Sequence, residues 1–293
     1  MASLAQSRVM LIDGTCALYR AFYGIRSLST RSGVPTNALF GFVRMVEQLR
    51  DQWRPTHWRV IFDGGSPARR LQLLPTYKAQ RPPMPEALRS QGPMCEEFLD
   101  CRRLERVCVP GEEADDVMAT LAVAAARDGA EVLLATMDKD LYQIVSDRIF
   151  LIRMAGEPER MGTAQVEAKT GVRPEQIVDW LAMVGDSADN IPGVPGVGAK
   201  TAAELLRTHG SVAGLRAHLD ELPRARIRDS LLASREILDR NIALVRLDTA
   251  LGGLPDWRSA AAVDGDAGRL LEFFTRVEFE SMAKRVREPD LFG

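Results

Sequence analysis

The chain has little of several things that would narrow its function. Of 293 residues only four are cysteine, Cys16, Cys95, Cys101 and Cys108, and only three are histidine. No Cys-x-x-Cys pair occurs and only three histidines exist to complete a zinc site, so a zinc centre is disfavoured. The cysteines are expected to be core thiols in a reducing compartment. No apolar run approaches the ~18 residues of a membrane span. The apolar run 9–12 is stopped by Asp13, short of the ~7–15 apolar residues of a signal peptide. A cytoplasmic protein without membrane contact is therefore expected. Lysine is scarce, five of 38 basic residues, and neither sign of charge dominates: 40 acids leave a net charge of −2. That balance by itself argues neither for nor against nucleic acid. What remains, 46% apolar and 27% charged residues, is the composition of a globular protein with room for one large domain or two ordinary ones.

Short apolar runs at 9–12, 60–62, 132–135 and 149–152 alternate with helical patterns at about 37–52 and 113–127. This rhythm predicts an α/β fold whose central twisted, mostly parallel sheet is flanked by helices on both faces. From about residue 163 the strand signal fades, and helices are predicted at 164–170, 174–185, 199–208 and 224–245. The expected organisation is an α/β domain over 1–162, a helical region over 163–250 and a C-terminal segment over 251–293 that packs back on the core. The stretch 64–103 breaks the rhythm with six prolines and seven cations against four acids. A connection that long between strands is usually functional or disordered.

Three of the four apolar runs lead into an aspartate: Asp13, Asp63 and Asp138, the last followed by Asp140. One such aspartate is an ordinary turn or cap residue. Three would converge on the carboxyl edge of a parallel sheet, where ligands bind. Glu113, Asp115 and Asp116 open a predicted helix, where the helix dipole would favour them. Asp186 and Asp189 follow the end of the 174–185 helix, where it would not. Nine carboxylates sharing one pocket would repel or protonate unless they bind hard divalent cations. Oxygen donors without His or Cys favour magnesium, or manganese in its place, over zinc. Two ions clamping the attacking and leaving oxygens of a phosphodiester are the economical use of so many acids. With the nine set aside, 31 acids face 38 bases, a surplus suited to a polyanion.

Two further segments fit that substrate. Gly193-Val194-Pro195-Gly196-Val197-Gly198-Ala199-Lys200-Thr201 offers glycine N–H groups and a helix start between helices, a ready phosphate site. Ala199 separates the last glycine from Lys200, so it is not a Walker loop. A helix-hairpin-helix that grips a duplex backbone through Gly193, Gly196, Gly198, Lys200 and Thr201 fits better, with a merely structural glycine turn as the alternative. In Tyr77-Lys78-Ala79-Gln80-Arg81 an aromatic side chain neighbours two cations, a pattern that would let Tyr77 stack a base while Lys78 and Arg81 meet phosphates.

These motifs, together with Tyr77-Lys78-Ala79-Gln80-Arg81-Pro82-Pro83-Met84-Pro85, Glu113-Ala114-Asp115-Asp116, Asp138-Lys139-Asp140-Leu141 and the run from Gly185 to Gly198, resemble the 5′ nuclease (flap endonuclease) superfamily. The chain is most similar to the bacterial 5′–3′ exonuclease domain of DNA polymerase I, over about residues 8–280. The resemblance implies a PIN-like α/β fold with a helical arch, here over about 64–103, and a helix-hairpin-helix holding a potassium ion. It implies magnesium-dependent hydrolysis near the junction of a 5′ single strand and a duplex. Carried over by motif, Asp13, Asp63, Glu113, Asp115 and Asp116 would serve the first metal and Asp140, Asp186 and Asp189 the second, with Asp138 near both. Lys78 and Arg81 would help catalysis from the arch side by placing the scissile phosphate, and Tyr77 would stack a base. Met137 and Gln80 depart from the family's usual residues without removing a ligand.

At this length polymerase domains are not expected. The expected substrates are DNA flaps, nicks and 5′ overhangs, with RNA primer ends among them, handled by a monomer in replication and repair. Asp290-Leu291-Phe292 partly resembles a sliding-clamp-binding motif, which would add the clamp as a partner. The main alternative is a structure-specific DNA-binding protein without catalysis. A PIN-like ribonuclease is disfavoured by the chain's length.

Overall fold

In the computed structural model, residues 7–288 are described. Six strands form one sheet in the order β3-β2-β1-β4-β5-β6: β1 (Arg8–Asp13), β2 (His57–Phe62), β3 (Glu105–Cys108), β4 (Glu131–Ala135), β5 (Ile149–Ile152) and β6 (Arg160–Met161). The first five pair parallel and β6 pairs antiparallel. The chain builds outward from β1 through β2 to β3, then returns to the other side of β1 for β4 and β5. The order therefore reverses between β1 and β4, a crevice where open parallel sheets bind ligands. Period-two alternation sends Val9, Leu11, Ile61, Val132 and Leu134 to one apolar core and Met10, Ile12, Val60, Leu133 and Ala135 to the other. The strand runs read from sequence lie inside β1, β2, β4 and β5. β3 escapes that reading because only Val107 of its four residues is buried.

Helices α1 (Gly14–Gly24), α2 (Asn37–Trp53), α3 (Ala68–Leu73), α4 (Glu86–Arg89), α5 (Gly92–Arg102) and α6 (Ala114–Arg127) connect the strands. The 64–103 insert is not one arch. Its last part, α5, buries Cys95, Phe98 and Leu99 completely and packs against α2, so the excursion is confined to residues before Gly92. The physical reason is the apolar face Cys95-Phe98-Leu99-Arg102 at helical spacing, which the proline-rich reading of the insert obscured.

The remaining helices are α7 (Thr163–Thr170), α8 (Ile177–Val184), α9 (Ala199–His209), α10 (Val212–Ala217), α11 (Ala225–Ala233), α12 (Arg235–Val245), α13 (Ala267–Arg276) and α14 (Glu280–Arg287). The single helix expected over 224–245 is broken at buried Ser234, which leaves helical geometry at φ −101°, ψ 16° and divides α11 from α12. α13 places Phe273 and Phe274 against Phe98 of α5. The strand edge is also tied to the C-terminal segment: Trp58 N donates to Ala260 O at 2.9 Å and Ala262 N to Thr56 O at 2.8 Å. Buried Arg59 bonds Glu105, the carbonyl of Asp256 and Ser259 Oγ. Cys95 and Cys101 are buried as expected, but Cys16 is half-buried and Cys108, on edge strand β3, is exposed. No described helix is long and apolar enough to cross a membrane.

Between α8 and α9 lies a two-stranded hairpin, β7 (Gly185–Asp186) and β8 (Ile191–Pro192). Asn241 of α12, fully buried, donates to the carbonyls of Ala182 and Pro192 at 3.0 and 2.7 Å and pins the hairpin to α8. Gly193 is needed for packing: a Cβ there would stand 2.2 Å from Val184 O. Around Gly198, which precedes α9, a Cβ would meet nothing within 4 Å. Gly193→Ala is accordingly expected to cost about 1–3 kcal/mol through overpacking, while Gly198→Ala stays within about 0.5 kcal/mol. Urea denaturation of the two variants measures the difference.

Candidate active site

Asp13 closes β1 and caps α1: Oδ1 accepts from Cys16 N and Oδ2 from Thr136 Oγ1, each at 2.9 Å. Thr136 follows β4 and also accepts from Asp138 N at 3.1 Å, so one hydroxyl joins the acids of the two switch-point strands. This residue was missed in the sequence, although a threonine directly before Met137-Asp138 was the available signal. Asp138 in turn accepts from Asp140 N at 2.9 Å. Exposed Asp63, after β2, accepts from Ala114 N at 2.9 Å and so holds the start of α6.

The acids perturb one another as members of one group would. Burial pushes the Asp13 carboxyl up to about 6, and the nearby Asp63 and Asp138 add to it. Burial raises Asp115 and Asp140 well above the carboxylate range, with Asp138 the next contributor to each. Asp138 is also raised by burial, and Asp189 and Asp186 contribute. The helical half thus brings Asp186 and Asp189 to the sheet edge. Among the described residues, however, no three acidic, His or Cys side chains stand close enough to form a ready ligand set. Cations are interleaved: Lys139 Nζ lies 3.1 Å from Asp186 Oδ2, Arg81 Nη2 lies 2.5 Å from Asp189 Oδ1, and Lys78 pairs with Glu113.

Two expectations need correction. Asp116 does not face the group. Buried to 1% exposure, it takes a forked ion pair from Arg70 of α3 and the N–H of Asp248 at 2.7 Å. Its acceptor capacity is spent inside the protein, because a carboxylate that deep needs a fixed counter-charge. Arg70, itself buried, also bonds Glu113; in the sequence it was one more cation of the insert. Tyr77 is not free to stack a base: only 6% exposed, it donates its hydroxyl at 3.1 Å to Glu113 Oε2 and to Asp189 Oδ2. An aromatic ring is better satisfied in the apolar core with its polar tip on the acids. Gly193 packs against the carbonyl of Val184 and stands in the hairpin before Gly196 and Gly198.

The 76–81 turn and the 186–190 turn clasp each other. Lys78 N donates to Asp189 O at 3.0 Å, Asn190 Nδ2 to Thr76 O at 2.8 Å and Gln80 Nε2 to Ser187 O at 2.8 Å. Lys78 and Asn190 both sit at positive φ, 54° and 59°, an unfavourable conformation kept where surrounding contacts demand it. Met137 is 59% exposed beside this edge, its sulfur 2.8 Å from Arg20 Nη1. Lys200, in the first turn of α9, is exposed, and Thr201 is partly buried.

The donor set fits hard divalent cations. It consists of carboxylate oxygens, partly desolvated and mutually repelling, and the buried Oδ1 of Asp140 has no hydrogen-bond partner.

A family model described as 5′–3′ exonuclease, N-terminal resolvase-like domain, matches residues 8–171, and one described as 5′–3′ exonuclease, C-terminal SAM fold, matches residues 172–261. A 5′–3′ exonuclease of Aquifex aeolicus is 36% identical over 276 residues, covering 94% of each chain. The thermostable DNA polymerase I of Thermus thermophilus is 38% identical over 281 residues, 94% of this chain but 33% of its own. The chain thus spans about a third of the length of the polymerase relatives it matches. Among solved structures, T5 5′-exonuclease with bound zinc superposes with a TM-score of 0.67 at 24% identity, covering 96% of this chain and 98% of that one. The catalytic core of Rad2 in complex with DNA substrate superposes at 0.65 and 15% identity, covering 98% and 93%. At such identities the likeness is one of fold.

Two outcomes distinguish the buried Asp116 from the crowded acids. Asp116→Ala is expected to cost about 3–5 kcal/mol, since it removes the forked partner of buried Arg70, whereas Asp186→Ala stays within about 1 kcal/mol; chemical denaturation reads both. A carboxyl whose folded pKa is raised binds its proton more tightly when folded, so stability falls as pH rises through the window from its unfolded value to its folded one. With EDTA present, the melting temperature should therefore be higher at pH 5 than at pH 7.5, and Asp115→Asn should raise it at pH 7.5. A melting temperature flat over this range and unmoved by Asp115→Asn would contradict the crowding.

Proposed function

The chain belongs to the 5′–3′ exonuclease family, and from that premise we propose that it hydrolyses DNA phosphodiesters near 5′ single-strand/duplex junctions in a divalent-metal-dependent reaction. The observation that carries the reading is the convergence of carboxylates from β1, β2, β4, α6 and the α8–α9 hairpin on one edge of the sheet. Asp13, Asp63, Glu113, Asp115 and Asp138 would hold one cation, and Asp138, Asp140, Asp186 and Asp189 a second. Magnesium suits a set made only of hard oxygens, with manganese able to replace it. When bound, such cations supply positive charge that acidifies a water and neutralises phosphoryl oxygens.

The chain's own residues do the rest. Thr136 fixes the orientation of Asp13 and Asp138 through its hydroxyl. Lys78 and Arg81 are held beside the acids, and a phosphodiester entering there would draw both toward its oxygens and be oriented by them. The Tyr77 hydroxyl keeps Glu113 and Asp189 at a set distance. On the helical side, the open approach at Gly198, with Gly196, Lys200 and Thr201 beside it, suits a duplex backbone gripped without base readout. A potassium ion on the hairpin carbonyls, RNA primer ends as substrates, a monomeric state and a cytoplasmic location complete the proposal. The clamp-binding motif Asp290-Leu291-Phe292 lies outside the described residues.

The test uses a 5′-labelled flap and a blunt duplex, each with magnesium, with EDTA, and with Asp138→Ala or Asp186→Ala. Cleavage is expected only with the metal and should fall about 10²–10⁴-fold in both variants, the several kcal/mol that metal-supplied charge contributes. Flap binding should persist. Wild-type rates in both variants would overturn the site, and a wild-type protein that binds flaps without cutting them would favour the non-catalytic alternative. Product length separates flap release from mononucleotide release, and an RNA-ended flap and a potassium-for-sodium exchange test the remaining parts.

A further inference from the structure

A cavity of about 510 Å³ adjoins the acids. Thr136 and Met137, which follow β4, form part of its wall, with Leu151 and Ile152 of β5 beside them. Because β1, β4 and β5 run parallel, this is the end of the sheet at which Asp13 closes β1. The Thr136 hydroxyl bonds Asp13 and Asp138, so the cavity and the carboxylate edge share one stretch of wall. The volume falls within the ~300–1,000 Å³ of small-molecule sites, room for one unpaired nucleotide but not for a duplex.

Three cations and one acid line the cavity. Arg153 is paired with Glu159. The other two are left over: Arg20 of α1 and Lys169, in the last turn of α7, are both exposed, and neither has a carboxylate within ion-pairing distance among the described residues. Arg20 Nη1 meets the thioether sulfur of Met137 at 2.8 Å, a weak acceptor for a group with five N–H donors. Lys169 Nζ donates to the Tyr142 hydroxyl at 2.7 Å, which uses one of its three donors. Two accessible cations from distant parts of the chain thus reach one cavity with most of their donors unspent. The apolar part of the wall is formed by Met137, Met154 and Met161, flexible side chains that adapt to flat rings of different size.

We propose that this cavity is the subsite for the unpaired nucleotide next to the scissile phosphodiester, on its single-stranded side. Arg20 and Lys169 take the phosphate of that nucleotide, and the methionines pack against its base. Holding the strand one position away restrains the scissile phosphate beside Asp138. The inference rests on the proposed reaction at the acids and adds the place where the single strand is held.

Fluorescence anisotropy of the full chain tests it in EDTA, with a 5′-flap substrate and a blunt duplex titrated separately between 50 and 200 mM salt. Arg20→Ala and Lys169→Ala, both exposed changes whose folding a melting temperature checks, should each weaken flap binding by about tenfold. Each should also lower the slope of log affinity against log salt by about 0.7, the contribution of one single-strand phosphate contact, and leave the blunt duplex unchanged. Arg44→Ala, which removes an equally exposed cation on α2 outside this cavity, should leave flap binding within about twofold of wild type. No measurable flap binding by the wild type, an unchanged salt slope in both variants, equal weakening on the blunt duplex, or an equal loss in Arg44→Ala would overturn the proposal. Binding in EDTA is read apart from cleavage, so failure of the reaction itself shows separately, as an uncut flap when magnesium is added to the wild type.

Discussion

Everything at the sheet edge follows from one constraint: carboxylates crowded into a partly desolvated crevice must be given counter-charge or they will not stay ionised together. The crowding is topological. The reversal of strand order between β1 and β4 brings Asp13 and Asp138 side by side, β2 adds Asp63, and the turn after α8 delivers Asp186 and Asp189. Burial raises the carboxyls of Asp13, Asp115 and Asp140, and the neighbouring acids add to it.

The chain answers the constraint at two depths. Where the acids are sealed from solvent, at Asp116 and Glu113, a buried guanidinium from the insert, Arg70, compensates them permanently. From the more exposed side, Lys78, Arg81 and Lys139 pair with Glu113, Asp189 and Asp186. Arg70 is thus sealed beneath the acids, while Lys78 and Arg81 reach them from the solvent side. The clasp between the 76–81 and 186–190 turns couples the insert to the helical half, so the two parts of the chain meet at the site itself.

Much of this was legible in advance. The apolar runs of β1, β2, β4 and β5 are long enough and buried on both faces, so they read as strands without context. β3 was hidden because an edge strand with one buried side chain carries no apolar run. α5 was hidden because the prolines around it suggested an excursion, and the long 224–245 pattern concealed the break at Ser234 because periodicity does not report a single non-helical residue. Asp115 is perturbed by Asp138 and Asp13 while Asp116 turns inward to Arg70, although Glu113-Ala114-Asp115-Asp116 looks uniform as a string. On one helix turn, neighbouring side chains point in different directions, and what each meets depends on which element packs there.

The sequence by itself therefore determined the residue types and their order: strand-end aspartates, a basic insert, a glycine hairpin, and with them the α/β class and the family. Those properties are local, set by periodicity and by the short-range chemistry of turns and caps. The tertiary structure alone decided which acids lie near one another and that Asp116 and Glu113 are sealed against Arg70. It likewise decided that Tyr77 lies inside rather than on the surface, and that Gly193 is demanded by a carbonyl 2.2 Å from its missing Cβ. Burial and charge compensation are sums over neighbours that come from distant parts of the chain, and no local pattern contains them.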